Sequence, residues 1–211
     1  MRLLDISKLQ DVSTGAQYLL GCVIVRKLPS GKILSVKIVE TESYHQEDPA
    51  SHTFRGETTR NKAMFGPAGY AYVYFTYGIH WCLNVTAGPN EYGAGILIRA
   101  AEPLEGLEAM YKNRFGHSEL FSKSSGKLKQ ILNQVQNDKI RNITNGPAKL
   151  AQALAIDKSL YGHDLIKPPL QIFDSETRDF KIIETTRVGI SQAVDTIARY
   201  YIKDNPFVSK K

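Results

Sequence analysis

With 211 residues, 42% of them hydrophobic and 23% charged, the chain is long enough for one domain to bury a core without metal or disulfide staples, and no apolar run approaches the roughly 20 residues of a bilayer span. Its 27 Lys and Arg against 21 Asp and Glu, a net charge of +6, favour an anionic partner such as nucleic acid. Two cysteines are too few for a disulfide framework or a zinc site, and the opening MRLLDISKLQ is no apolar leader, so no membrane association and a reducing, cytoplasmic location are expected.

Asp11 to Leu20 reads as a short helix, with Asp11 as N-cap and Gly21 as the stop. Cys22 to Leu28 and Ile33 to Tyr44 are rich in β-branched residues and flank Pro29-Ser-Gly31, the pattern of a β-hairpin. Residues 45 to 69 are polar and interrupted by Pro49, Gly56, Gly66, Pro67 and Gly69, so a functional loop is expected there, with a helical turn around Arg60 to Met64. Tyr70 to Thr86 and Ala94 to Ala101 read as a second strand pair that turns at Gly88-Pro89-Asn90. Pro103 is expected to open a helix carrying Leu104, Leu107 and Tyr111 on one face. Residues 116 to 142, with four lysines and one arginine among Ser, Asn and Gln, read as a solvated connection or a DNA-contacting arm. Asn145-Gly-Pro147 is expected to cap another helix with Leu150 and Leu154 inward, ending near Ile156. Short strands follow, with turns at Gly162-His-Asp164 and Pro168-Pro169 and a close at Arg199 to Lys203. No internal repeat or linker divides the chain.

Residues two apart on a strand share a face, so Glu40, Glu42 and Tyr44 project together. Walled in by aromatics, such a carboxylate has its pKa tuned by burial and can serve as a general base; on a surface strand the same pattern is a solvent-facing polar edge. Tyr70, Tyr72, Tyr74 and Tyr77 crowd into eight residues before Trp81. Aromatic density in a strand usually means core, but Arg55, Arg60 and Lys62 stand just upstream in a glycine-rich loop, and basic groups interleaved with tyrosines suit phosphate contact and base stacking. His52 is either a solvated loop side chain or a donor to a base edge, and His45 and His80 compete for that role. No HxxxH, CxxC or HExxH spacing occurs, so neither a catalytic metal nor another cofactor is expected; the lack of a GxSxG elbow or a phosphate loop counts against acyl transfer and nucleoside triphosphate chemistry.

The segments Val39-Glu-Thr-Glu-Ser-Tyr44, His52, Met64-Phe-Gly-Pro67, Tyr72-Val-Tyr74, Tyr77-Gly78, Trp81-Cys-Leu-Asn84, Leu97-Ile-Arg99 through Gly106, Asn145-Gly-Pro147-Ala-Lys149, Thr186-Arg-Val-Gly-Ile190 and Tyr201-Ile-Lys203 resemble, in this order, the alkyladenine (3-methyladenine) DNA glycosylase family. The resemblance implies an α+β fold, a single domain over residues 1 to 211 with a curved antiparallel β-sheet and surrounding helices, acting without metal or cofactor as a monomer on double-stranded DNA. The implied activity is monofunctional base excision repair. Alkylated or deaminated purines (3-methyladenine, 7-methylguanine, hypoxanthine, ethenoadenine) are flipped from the duplex, and the N-glycosidic bond is hydrolysed by a glutamate-activated water, leaving an abasic site. Residue by residue, Glu42 rather than Glu40 matches the general base and Arg99 the arginine that helps position the water. Tyr44, His52 and Tyr74 match the walls around the flipped base, Asn84 a pocket residue that disfavours guanine, Leu97 an apolar pocket contact, and Tyr77 the wedge that fills the gap left in the duplex. Arg55, Arg60, Lys62 and Lys149 are the candidate contacts to the DNA backbone. The competing readings are a bifunctional lyase acting through a lysine Schiff base, a non-catalytic reader of damaged DNA, and a nucleoside hydrolase.

Overall fold

The computed structural model describes residues 2–116, 140–175 and 177–209. After β1 (Arg2–Leu3), Asp11 accepts the Thr14 N–H at 2.8 Å and so satisfies a donor that a first helical turn leaves open; α1 (Val12–Tyr18) follows as expected. The expected hairpin is present as β2 (Val23–Lys27) and β3 (Ile33–His45), with Ile24 opposite Val36. The helical turn of the polar loop is a 3-10 turn at Lys62–Phe65.

The run from Tyr70 to Thr86 is two strands, not one. It divides into β4 (Ala71–Thr76) and β5 (His80–Thr86), because Tyr77 and Gly78 both take positive φ (50° and 67°) and the Ile79 N–H donates to Thr76 O at 3.2 Å. Two consecutive left-handed residues twist the chain in the sense that an antiparallel hairpin needs. The expected helix start at Pro103 is also corrected: β6 (Ala94–Glu105) runs on through it, leaving Leu104 53% exposed rather than inward. Pro103 lies opposite Val36 at a register shift, where a strand tolerates a residue without an N–H. The helix, α2 (Leu107–Phe115), begins only after Gly106, whose φ of +82° and a contact of 2.8 Å between an added Cβ and Ile33 O leave no room for a side chain. The next helix, α3 (Pro147–Ala153), opens on its proline as expected, with Leu150 and Leu154 buried, but Asn145 does not cap it; its amide oxygen receives Lys149 Nζ at 2.9 Å. Most of the connection at 116 to 142 lies outside the described residues.

With β7 (Leu170–Asp174), β8 (Ile182–Thr186) and β9 (Ile197–Ile202) the strands form one open antiparallel sheet, so the fold is α+β and a single domain. The main path runs β1-β7-β2-β3-β6-β5-β4, and β9 joins β3 to β8. Along its 13 residues β3 has β6 on one side; on the other it borders β2 over its first half and β9 over Glu40 to Glu42. One face of this centre is apolar: Ile96 and Ile98 are buried in the core shared with α1, and the Thr41 hydroxyl donates to Ala16 O at 2.8 Å. Each large aliphatic side chain so buried contributes about 1.5–3 kcal/mol. That apolar face offsets what the opposite one costs, where β3 and β6 bury charge. Among the described residues no helix is long and apolar enough to cross a membrane.

Candidate active site

On the opposite face a straight row crosses four strands: Glu42 on β3 faces Leu97 on β6, Leu97 faces Asn84 on β5, and Asn84 faces Tyr72 on β4. The two-residue period of a strand brings Tyr44, Tyr74 and Arg99 up beside this row. Together they floor a cavity of about 550 Å³, closed at its sides by the polar loop that carries His52, by the start of α3, and by Val188 to Gln192 ahead of β9. Glu42, Arg99, Tyr44, His52, Tyr74, Asn84, Leu97 and Tyr77 all line it.

The two glutamates, equivalent by spacing, differ in place. Both are fully buried, which overturns the polar-edge alternative for this strand. Glu42 opens into the cavity: Oε2 accepts from the Tyr44 hydroxyl at 2.8 Å and from Arg99 Nη1 at 3.2 Å, and Oε1 accepts the Val188 N–H at 2.9 Å. Glu40 stands behind it, taking Arg99 Nε at 3.2 Å and Arg199 Nε at 3.3 Å on Oε1. Register shifts on either side of Glu40 leave Arg99 without a cross-strand partner, and such bulges redirect a side chain. Burial works against the Arg99 charge, but the carboxylates of Glu42 and Glu40 outweigh it and raise the Arg99 pKa. A buried ion network persists only when paired in this way.

Burial, then the neighbouring Glu42 charge, pushes the Tyr44 phenol far up, so it remains a donor at any working pH. Its ring lies 4.6 Å from the Arg187 guanidinium, which is locked by Nη2 to Asp48 Oδ1 at 3.0 Å and by Nη1 to Asp48 Oδ2 and, at 3.1 Å, to Ser43 O. His52 stands edge-on to Tyr74 with ring centres 4.6 Å apart, and its Nδ1 is 2.9 Å from the Tyr72 hydroxyl, a phenol that burial pushes up to about 12. Although His52 reaches solvent at the cavity mouth, removal of its ring from water, then the Arg60 charge, lowers its pKa and keeps the imidazole neutral near pH 7. Asn84 Nδ2 donates to Tyr72 O at 3.1 Å. Tyr77, at the hairpin tip, is 84% exposed.

The backbone-contact candidates lie outside the cavity. Arg55 and Lys62 are exposed; Arg60 is exposed but donates Nη2 to Phe75 O at 3.2 Å; Lys149 is half-buried and bonded to Asn142 and Asn145. Spacing gave no role to Val188 or to the Asp48–Arg187 pair, which are joined to the site across sequence separations of 139 residues or more. Tyr72, which spacing left between core packing and base stacking, is buried with its hydroxyl against His52. Cys82, one of two free buried thiols, lines the cavity opposite Tyr74, and burial raises its pKa. Among the described residues no three His, Cys, Asp or Glu side chains are grouped to hold a metal.

The family model described as methylpurine-DNA glycosylase matches residues 7–206. The chain is similar to proteins of Carboxydothermus hydrogenoformans (45% identity over 204 residues, 96% of this chain and 95% of the relative) and Methanoculleus marisnigri (38% over 206 residues, 96% and 95%). A protein of Francisella tularensis is 42% identical over 200 residues, 93% of this chain and 92% of the relative. All three carry the name "Putative 3-methyladenine DNA glycosylase".

Proposed function

The chain belongs to the methylpurine-DNA glycosylase family, and from that premise we propose that it removes alkylated and deaminated purines, 3-methyladenine among them, from duplex DNA by a glutamate-activated water. The observation that carries this reading is a buried carboxylate, Glu42, held by three donors and opening into a cavity with aromatic walls. Extruding a base costs a few kcal/mol of stacking and pairing, least at a damaged or mispaired site. Tyr77, exposed at the tip of a tight turn, is placed to enter the gap; Tyr44, His52 and Tyr74 take the everted base between their rings. As the N-glycosidic bond lengthens the base leaves with the electron pair, and the sugar gains oxocarbenium character that the Glu42 carboxylate stabilises. Water oxygen then bonds to the anomeric carbon, its proton passes to Glu42, and Arg99 orients the water from the other side. A cationic alkylated purine departs as a neutral base, whereas a neutral deaminated purine takes up a proton from solvent as the bond breaks, so that it too leaves uncharged. Asn84 and Leu97 set the depth of the pocket, with Asn84 working against guanine. Arg55, Arg60, Lys62 and Lys149 contact the phosphates. The same reading makes the whole chain one glycosylase domain acting as a monomer in the cytoplasm.

The test is a panel of duplexes, each with one lesion, incubated with the protein and then treated with mild alkali. Strand breaks at the lesion only after alkali, with no adduct trapped by borohydride, are expected. Breaks before alkali with a trapped adduct point to a Schiff-base lyase instead, and tight lesion binding without breaks to a reader.

A further inference from the structure

Glu40 has no part in the chemistry above, yet it is as deeply buried as Glu42, accepts as many hydrogen bonds and faces a second arginine, Arg199. Its Oε1 meets Arg99 Nε at 3.2 Å, the Ser209 hydroxyl at 3.0 Å and Arg199 Nε at 3.3 Å, and its Oε2 accepts the Ser209 N–H at 2.7 Å. Ser209 Oγ also lies 3.4 Å from Arg99 Nη2. The chain reaches this point after β9 by a short return in which Asn205 Nδ2 bonds Glu102 and Val208 is buried. Three of the nitrogens of Arg99 are thus divided: Nε to Glu40, Nη2 to Ser209, and Nη1 alone to Glu42 and, at 3.4 Å, to Val188 O.

We propose that Glu40, secured by Ser209, is a positioning residue that keeps Arg99 from forking onto Glu42. A planar guanidinium beside a carboxylate prefers two parallel hydrogen bonds. With its Nε edge free, Arg99 would turn to take both Glu42 oxygens and cover the lone pair that receives the water's proton. Glu40 occupies that edge, so Glu42 meets one guanidinium nitrogen and its second oxygen stays with the Val188 N–H. Glu40 acts through Arg99 and touches neither base nor sugar. The proposal rests on the glycosylase reading for its effect on rate, but not for its effect on Arg99 itself.

The test uses the full chain with E40Q, R99K and both together. The expected result is that E40Q binds a hypoxanthine duplex within about 3-fold of wild type while single-turnover base release falls on the order of 10-fold or more, the range for a slightly misplaced catalytic contact. In the R99K background E40Q should add less than about 2-fold, because residues acting as a unit are not additive. The Arg99 Nε–H signal in nitrogen-edited NMR, assigned by its loss in R99K, should shift and exchange faster with solvent in E40Q. Equal loss of rate in both backgrounds, or an Arg99 signal that does not move, overturns the proposal. If wild type releases no base, the glycosylase reading fails while the Arg99 signal still decides the role of Glu40. If E40Q does not fold, S209A carries the test: a moved Arg99 signal supports the proposal and an unmoved one overturns it.

Discussion

The Tyr44 hydroxyl donates to Glu42 Oε2 at 2.8 Å from two residues along the same strand, so one side chain both lines the cavity and donates to the carboxylate. Replacing Tyr44 by Phe separates the two roles. The ring and its contact with Arg187 stay, and affinity for a lesion duplex should hold within about 3-fold. Loss of the donor leaves Glu42 less firmly aimed, and single-turnover release should fall on the order of 10-fold. A rate equal to that of wild type removes the hydroxyl from the mechanism.

Tyr77 holds a left-handed backbone, φ 50°, that costs a non-glycine residue roughly 1–2 kcal/mol. Tyr77→Gly relieves this strain, partly offset by the greater freedom glycine has in the unfolded chain. The variant should therefore melt no lower than wild type while losing about 10-fold or more in affinity and release on a mismatched lesion. Thermal melts and binding curves check it; a variant that is less stable and equally active contradicts the wedge.

The hairpin of β2 and β3 and the cap of α1 were legible because their signals are local: Pro29 to Gly31 between β-branched runs, and a carboxylate three residues before an open N–H. The turn at Tyr77 was not, because tyrosine is not a turn residue and its aromatic neighbours read as one strand. Pro103 misled for the opposite reason: a proline favoured at a helix start was absorbed by a register shift. Within the site, the shared face of Glu40, Glu42 and Tyr44 followed from strand period, and resemblance, not spacing, singled out Glu42. What separates the two carboxylates is supplied by Val188, Arg199 and Ser209, which reach β3 from the far end of the chain.

Asp48 and Arg187 form a buried pair behind Tyr44. Burial opposes the Asp48 charge, but the hydrogen bonds from Arg187 and the Ala50 N–H, with the guanidinium charge, outweigh it and lower the Asp48 pKa. The unfolded chain therefore takes up this proton first as pH falls, so the pair's stabilisation is complete above about pH 4 and is lost as pH drops through the folded value. Asp48→Ala leaves a buried guanidinium unpaired and should cost about 3–5 kcal/mol at pH 7. Its deficit against wild type should narrow below pH 4; a deficit independent of pH, in denaturant melts at several pH values, contradicts the ion pair.

Arg55 and Lys62 are exposed on the polar segment that also carries His52. Each phosphate contact contributes about 0.9 to the slope of log affinity against log salt, so Arg55→Ala and Lys62→Ala should each flatten that slope by roughly 1. Fluorescence anisotropy between low and physiological salt measures this, and an unchanged slope removes that residue from the DNA interface.

Glu42→Gln keeps the shape of the side chain and removes its ability to take a proton. Single-turnover base release from a duplex carrying ethenoadenine or hypoxanthine, measured beside binding of the same duplex, is the decisive comparison. Binding close to that of wild type with release lowered by at least about 10³-fold is the predicted result; release at an undiminished rate contradicts the assignment of Glu42 as the base that activates water.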